Sequence, residues 1–133
     1  MSSLSRIAWV GVGGMVGSVA RYLLATLVMK LAGSGFPVGT LTVNVVGSFL
    51  LGVVMAVALH GGAIGPGLQL GLTTGLLGGF TTYSAFNFET LRLIEQRSWM
   101  LAGLNVASTL AGCLVAGWLG WAGAAWVLGR RGG

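Results

Sequence analysis

The sequence predicts an all-α membrane protein of four transmembrane helices, and three observations support this prediction. Hydrophobic residues make up 55% of the 133-residue chain, and only seven side chains are basic and two acidic. The mean hydropathy is +0.91. No Asp, Glu, Lys or Arg occurs from Leu31 to Phe88 or from Trp99 to Gly129. Such a chain cannot enclose a water-soluble core, whereas each uncharged block can cross about 30 Å of hydrocarbon.

The uncharged blocks divide into four predicted spans within a single membrane domain, 1–133: residues 7–32, 38–59, 68–93 and 99–128. Glycine-rich linkers around Pro37 and Pro66 separate the first three spans, because these residues end one helix and begin the next. The third linker, RLIEQRSW, is the only hydrophilic one. A cleaved signal peptide is a competing interpretation of the first span, but Arg21 interrupts the apolar run and no small-residue cleavage site follows.

The basic residues give no clear orientation in the membrane. With four spans, both termini lie on one side together with Arg6, Arg130 and Arg131, and the other side carries Lys30, Arg92 and Arg97. Orientation normally follows an excess of Lys and Arg in short cytoplasmic loops. A balanced chain is therefore expected to insert both ways and to form an antiparallel dimer. The scattered charges form no patch typical of nucleic-acid binding, and anchoring at the headgroups of the lipid bilayer is the simpler explanation.

Polar side chains inside the spans mark the candidate functional positions, because such groups are costly in lipid. Arg21 either snorkels from a tilted helix or acts electrostatically at a pore entrance. Asn44 lies on one helical face with Thr40 and Ser48, so its carboxamide either donates to a ligand or makes an interhelical hydrogen bond. Small residues at four-residue spacing predict close helix packing, and Cys113, the one cysteine, is interpreted as a packing residue.

The stretch GGFTT, residues 78–82, is expected to unwind the third span near the middle of the membrane. Carbonyl groups released there must face protein, water or an ion, and in an antiparallel dimer two copies can offer them to one cation. Tyr83 and Phe86 follow at helical spacing. One interpretation is that both residues pack in the core. The other is that their ring edges, which carry partial positive charge, contact a small anion.

Three segments of the chain resemble the signature segments of the small bacterial fluoride channels, the Fluc or CrcB family: GGMVGSVARY (13–22), GTLTVNVVGSFLLG (39–52) and GLLGGFTTYSAF (75–86). The resemblance covers residues 6–95 by motif and the fourth span by position. It implies a dual-topology antiparallel homodimer in the inner (plasma) membrane, with two pores for fluoride and a structural sodium ion at the centre. The implied function is passive export of fluoride from the cytoplasm, without catalysis.

The resemblance also assigns roles to individual residues. The backbone carbonyls of Gly78 and Thr81 are implied to hold the sodium ion. The implied pore positions are the donor Asn44, the aromatic residues Tyr83 and Phe86, the hydroxyl residues Thr40 and Ser84, and a polar continuation at Asn105, Ser108 or Thr109. The chain departs from the family pattern at Tyr83, where phenylalanine is usual, and at Ala85 and Asn87, where small hydroxyl residues are common.

Two other functions remain as alternatives at the sequence level. A small dual-topology multidrug or cation antiporter would require a buried carboxylate, for which Glu89 is the candidate. A non-conducting subunit of a heterodimeric channel would have the same spans. The chain has no nucleotide-binding loop and no nucleophile with a partner base, since His60 lies at a helix end.

Overall fold

The computed structural model describes residues 1–33, 35–61 and 64–131, and all regular secondary structure in these ranges is helical. The elements in order are α1 Ser3–Ala32, α2 Val38–His60, α3 Pro66–Leu70, a π-helix Gly71–Leu77, α4 Gly78–Phe80, α5 Tyr83–Glu95 and α6 Trp99–Arg131. Three of these helices, α1, α2 and α6, are long and apolar enough to cross a membrane. The prediction of an all-helical, multi-pass membrane protein is therefore confirmed.

Parts of the sequence-level predictions fall outside the described structure. The glycine-rich linkers include residues 34, 62 and 63, and the charge balance includes the side chains of Arg130 and Arg131, none of which belongs to the described part of the molecule.

Local sequence explains where several helices begin and end. Ser2 caps α1 by accepting a hydrogen bond from the amide of Ser5 at 3.2 Å. Gly33 ends α1 in the left-handed conformation, with φ +54°, and its amide donates to the carbonyl of Met29. Pro66 begins α3, where its missing N–H is not needed. After α5, Arg97 adopts φ +56°, a conformation that disfavours any residue with a Cβ atom.

Glycine contacts show that α1 and residues 66–80 run parallel. A Cβ atom on Gly13 would meet the backbone of Gly71 and Leu76, and one on Gly17 would meet the backbone of Leu76 and Phe80. Residue numbers thus rise together along both elements. This close backbone approach agrees with the predicted packing through small residues.

The same kind of contact shows that α2 and α6 also run parallel. A Cβ atom on Gly112 would lie 3.1 Å from the Val45 side chain, and one on Gly61 would lie 3.6 Å from the Leu128 side chain. In contrast, the start of α2 lies against the end of α1, since a Cβ atom on Gly39 would lie 2.7 Å from the Ala25 carbonyl. The chain therefore reverses direction between α1 and α2, again before residues 66–80, and again before α6.

The segment predicted as the third span, residues 68–93, has the least regular structure in the described chain. It contains α3, the π-helix, α4 and α5, and Thr81 and Thr82 lie between the last two in extended conformation. Within the stretch expected to unwind, residues 78–82, Thr81 and Thr82 are extended, whereas Gly78, Gly79 and Phe80 are helical. Gly79 packs closely against α1, since a Cβ atom on it would lie 2.6 Å from the Gly14 carbonyl oxygen.

Candidate functional site

The extended pair, defined as Thr81 and Thr82, separates α4 from α5 in the middle of residues 66–95. Thr81 has φ −78° and ψ 158°, and Thr82 has φ −151° and ψ 115°. The carbonyl of Leu77 accepts hydrogen bonds from both the amide and the hydroxyl of Thr81, each at 3.0 Å. The following helix is capped by Thr82, whose hydroxyl accepts from the amide of Ala85 at 3.2 Å.

Asn44 of α2 holds the extended pair through two hydrogen bonds. Its Nδ2 donates to the carbonyl of Thr82 at 3.0 Å, and its Oδ1 accepts from the amide of Thr82 at 2.7 Å. The side chain is buried, with 7% of its surface exposed. A carboxamide carries two N–H groups, so one of them remains after the bond to Thr82 is made.

A cavity with a volume of about 410 Å³ surrounds this contact. Its walls come from α2, the π-helix, α4, the extended pair, α5 and α6. It brings together six residues that the sequence predicted as site residues: Asn44, Gly78, Thr81, Tyr83, Phe86 and Thr109. Residues predicted separately on three spans therefore share one space.

The two aromatic residues of the cavity differ in their burial. Phe86 is 7% exposed, whereas Tyr83 is 77% exposed in the single chain. Their ring centroids lie 5.5 Å apart with an interplanar angle of 58°. Aromatic pairs favour such offset or tilted geometry, and the ring edges carry partial positive charge. Phe86 is buried and also lines the cavity. A packing role and a position beside the ion path are therefore compatible for this residue.

The remaining predicted pore residues lie outside the cavity lining. The Ser84 hydroxyl is 3.2 Å from that of Thr82. Asn105 is 1% exposed and donates to the hydroxyl of Thr90 at 2.9 Å, which ties α6 to α5. The Ser108 hydroxyl donates to the carbonyl of Asn105 at 3.4 Å. Arg21 is half-buried on α1, and among the described residues it lines neither the cavity around Asn44 nor the two clefts at Glu89.

Thr40 and Glu89 form a second polar contact at the end of the bundle where α2 begins. The Thr40 hydroxyl donates to Oε1 of Glu89 at 2.6 Å. Oε2 of Glu89 is buried and has no hydrogen-bond partner within the described part of the chain. Two clefts meet this carboxylate, one of about 210 Å³ that includes Arg92 and one of about 440 Å³ that includes Lys30. Both clefts therefore place a basic side chain near the buried acid.

Sequence reasoning missed several cavity residues. Cys113, interpreted as a packing residue, lines the cavity with Thr109, and so does Thr73 of the π-helix. The four-residue spacing of Thr109 and Cys113 puts them on one helical face, and this signal was present in the sequence. No comparable signal marked Thr73, because its exposure to the cavity depends on the π-helix.

The fold and site define a multi-pass α-helical membrane protein with a cavity beside an extended pair of residues. Comparison with known proteins identifies its family. The model of the CrcB-like protein, Camphor Resistance (CrcB), family matches residues 8–121. The chain belongs to this family, which confirms the resemblance seen in its three motifs.

Relatives with assigned names carry the same designation. The chain is 51% identical over 117 residues to the fluoride-specific ion channel FluC of Sorangium cellulosum, covering 88% of this chain and 92% of that protein. It is 50% identical over 117 residues to the FluC protein of Geobacter sulfurreducens, covering 88% and 94% of the two chains. The FluC protein of Geotalea daltonii is 40% identical over 124 residues, which span 93% of this chain and all of that protein.

Proposed function

We propose that this protein is a fluoride-selective channel that lets fluoride leave the cytoplasm passively across the inner (plasma) membrane. The observation that carries the proposal is the cavity that joins Asn44, the extended pair and the aromatic residues Tyr83 and Phe86. The names of the relatives support fluoride as the ion and conduction as the process. Flux down a gradient relieves toxicity without an energy source.

The cavity offers the kind of donors that a fluoride ion needs. Fluoride is compact and strongly hydrated, so several weak donors must replace its water together. The second N–H of Asn44, the hydroxyl of Thr109 and the aromatic ring edges are neutral donors of this kind. Neutral donors bind an anion weakly enough to release it, which conduction requires.

Residues 66–95 are proposed to make a third membrane crossing, with the extended pair as its break. Their 30 positions span roughly 45 Å at about 1.5 Å per residue, which exceeds the hydrocarbon thickness of about 30 Å. Gly78 and Tyr83 beside the break are exposed in the single chain. Backbone polar groups inside the hydrocarbon layer must be shielded from lipid by protein. A second copy inserted in the opposite direction would bury this surface.

The carbonyls beside the break are proposed to hold a structural sodium ion between the two copies. The donor set is consistent with such an ion, because Thr81 belongs to the extended pair, Gly78 lies three residues before it, and both residues line the cavity. Backbone oxygens are suitable ligands for a hard cation. When bound, the ion supplies a positive charge that compensates carbonyl dipoles which lipid cannot satisfy.

The proposal is tested by fluoride efflux from liposomes that contain the purified protein, followed with a fluoride electrode. The chain alone is expected to release fluoride in preference to chloride. Asn44→Ser is expected to reduce the efflux rate at least about tenfold, which corresponds to about 1.4 kcal/mol of barrier. Asn87→Ser is the matched control, because Asn87 is exposed and lies outside the cavity lining; its rate should stay near that of the parent.

Three results would contradict the proposal. Flux that depends on a proton gradient, together with transport of organic cations, would favour the antiporter. A well-folded protein that conducts nothing alone would favour the partner-subunit interpretation. Equal loss in the Asn44 and Asn87 variants would remove the special role of Asn44.

The antiparallel arrangement is tested by labelling a single cysteine from one side of the membrane. Gln96→Cys in a Cys113→Ser background places the thiol in the exposed loop after α5 without changing the charge balance. An impermeant maleimide added outside intact cells is expected to label about half of the molecules, since a chain with balanced charges inserts both ways. Complete or absent labelling would exclude dual topology, and the Cys113→Ser protein alone measures the background.

A further inference from the structure

We propose that Asn44 is a positioning residue for the cation site, and that it releases the Gly78 carbonyl by holding the amide of Thr82. This inference rests on the proposed function, because it assigns the control of the proposed sodium site. The pore and the cation site are then coupled through one side chain.

The first step is the geometry of the contact between Asn44 and Thr82. Thr82 has extended backbone angles, φ −151° and ψ 115°, and both of its backbone polar groups bond to the same carboxamide. Asn44 therefore takes the place that a neighbouring strand takes in a β-sheet. The bridge satisfies a donor and an acceptor that lipid would leave unpaired.

The second step is the effect of this bridge on the carbonyls. In a continuous α-helix the amide of Thr82 would donate to the carbonyl of Gly78, four residues earlier. It donates instead to Asn44 at 2.7 Å. In the same way the amide of Ala85, which would donate to the carbonyl of Thr81, donates to the Thr82 hydroxyl at 3.2 Å. Two side-chain oxygens, Oδ1 of Asn44 and Oγ1 of Thr82, thus accept the hydrogen bonds that the carbonyls of Gly78 and Thr81 would accept in a continuous helix. These are the two carbonyls proposed to bind the cation.

The third step is the rigidity of the contact. A Cβ atom on Gly47 would meet the Thr81 side chain and would lie 3.2 Å from the Phe80 ring. Gly47 is three residues after Asn44, so α2 lies close against the end of α4 and the extended pair. Asn44 and Gly47 are both buried. The bridge therefore cannot lengthen without moving α2, and loss of the Asn44 polar atoms removes the partner of the Thr82 amide and carbonyl.

The test measures how sodium stabilises the purified dimer against heat. Thermal unfolding is followed while NaCl replaces N-methyl-D-glucamine chloride at constant ionic strength. Asn44→Leu removes both polar atoms at similar volume and is expected to raise the half-maximal sodium concentration at least about tenfold, the effect of losing one well-formed hydrogen bond. Thr82→Val, which removes the cap on Ala85 and the contact with the Ser84 hydroxyl but keeps the bridge to Asn44, should raise this sodium concentration by a smaller factor.

Asn105→Leu is the matched control, because Asn105 is equally buried but bonds to Thr90, away from the extended pair. It should lower thermal stability without changing the sodium concentration required. If Asn44→Leu does not yield a folded dimer, Asn44→Ser is measured instead and the same shift is expected.

The outcomes separate this inference from the proposed function. If the parent protein responds to sodium and the Asn44 variants respond at the same concentration, the positioning role is overturned while the channel proposal stands. An equal shift in Asn105→Leu would also overturn it. If the parent protein shows no response to sodium, both the sodium site and its control by Asn44 are overturned, whereas fluoride efflux remains a separate measurement.

Discussion

Replacing Gly17 with alanine is expected to destabilise the protein by at least about 3 kcal/mol, the upper range for overpacking a close contact. Gly17 is buried in α1, and a Cβ atom there would meet the carbonyl of Leu76 and lie 3.0 Å from the amide of Phe80. Backbone atoms cannot rotate away as a flexible side chain can. The whole segment that leads to the extended pair would therefore have to move.

Gly11→Ala on the same helix is the control for this substitution. A Cβ atom on Gly11 has no neighbour within 4 Å, so the added methyl group should leave thermal unfolding of the detergent-solubilised protein unchanged or slightly raise its midpoint. Fluoride efflux should survive in Gly11→Ala and be lost in Gly17→Ala. Similar midpoints for the two variants would show that α1 and the π-helix do not pack as described.

Replacing Phe86 with leucine is expected to lower fluoride efflux at least about tenfold while changing stability by only about 1 kcal/mol. Leucine keeps the apolar bulk of a side chain that is 7% exposed, but it has no aromatic edge to offer an anion. The measurement is efflux from liposomes at equal protein density, with thermal unfolding recorded for the same preparation.

Tyr83→Phe is the companion variant, because it keeps the ring and removes only the hydroxyl. It is expected to change efflux by less than about a factor of two, under about 0.5 kcal/mol of barrier. A large gain would mean that the tyrosine hydroxyl holds the ion too long, and a large loss would mean that this hydroxyl is a required donor. Unchanged efflux in Phe86→Leu would remove the ring edges from the proposed path.

The sequence located the polar residues of the cavity better than it described their contacts. Asn44 was predicted as a donor or as an interhelical contact, and the structure shows that its oxygen also accepts a hydrogen bond. An amide has one acceptor and two N–H groups, and their use depends on the conformation of Thr82. The helical period of α2 places Asn44 on one face but cannot reveal the conformation of Thr82, because Thr82 belongs to another segment of the chain.

The glycines of residues 66–80 show a second limit of sequence reasoning. Low helix propensity led to the expectation that residues 78–82 unwind; within that stretch Thr81 and Thr82 are extended, but Gly78 and Gly79 are helical. Propensity describes an isolated chain in water. In the bundle, Gly79 packs closely against Gly14 of α1, and Asn44 stabilises the extended form of Thr82.

By itself the sequence determined the environment and the class of the protein. Its uncharged blocks are long enough to cross a membrane, and its three motifs identify the family; both features are properties of the chain read in order. Only the tertiary structure decided which amides donate to which oxygens around Thr82 and which residues of the third segment are extended. It also decided which side chains line the cavity. The physical reason is that a backbone group in lipid must find a partner, and here that partner lies 38 residues away on another helix.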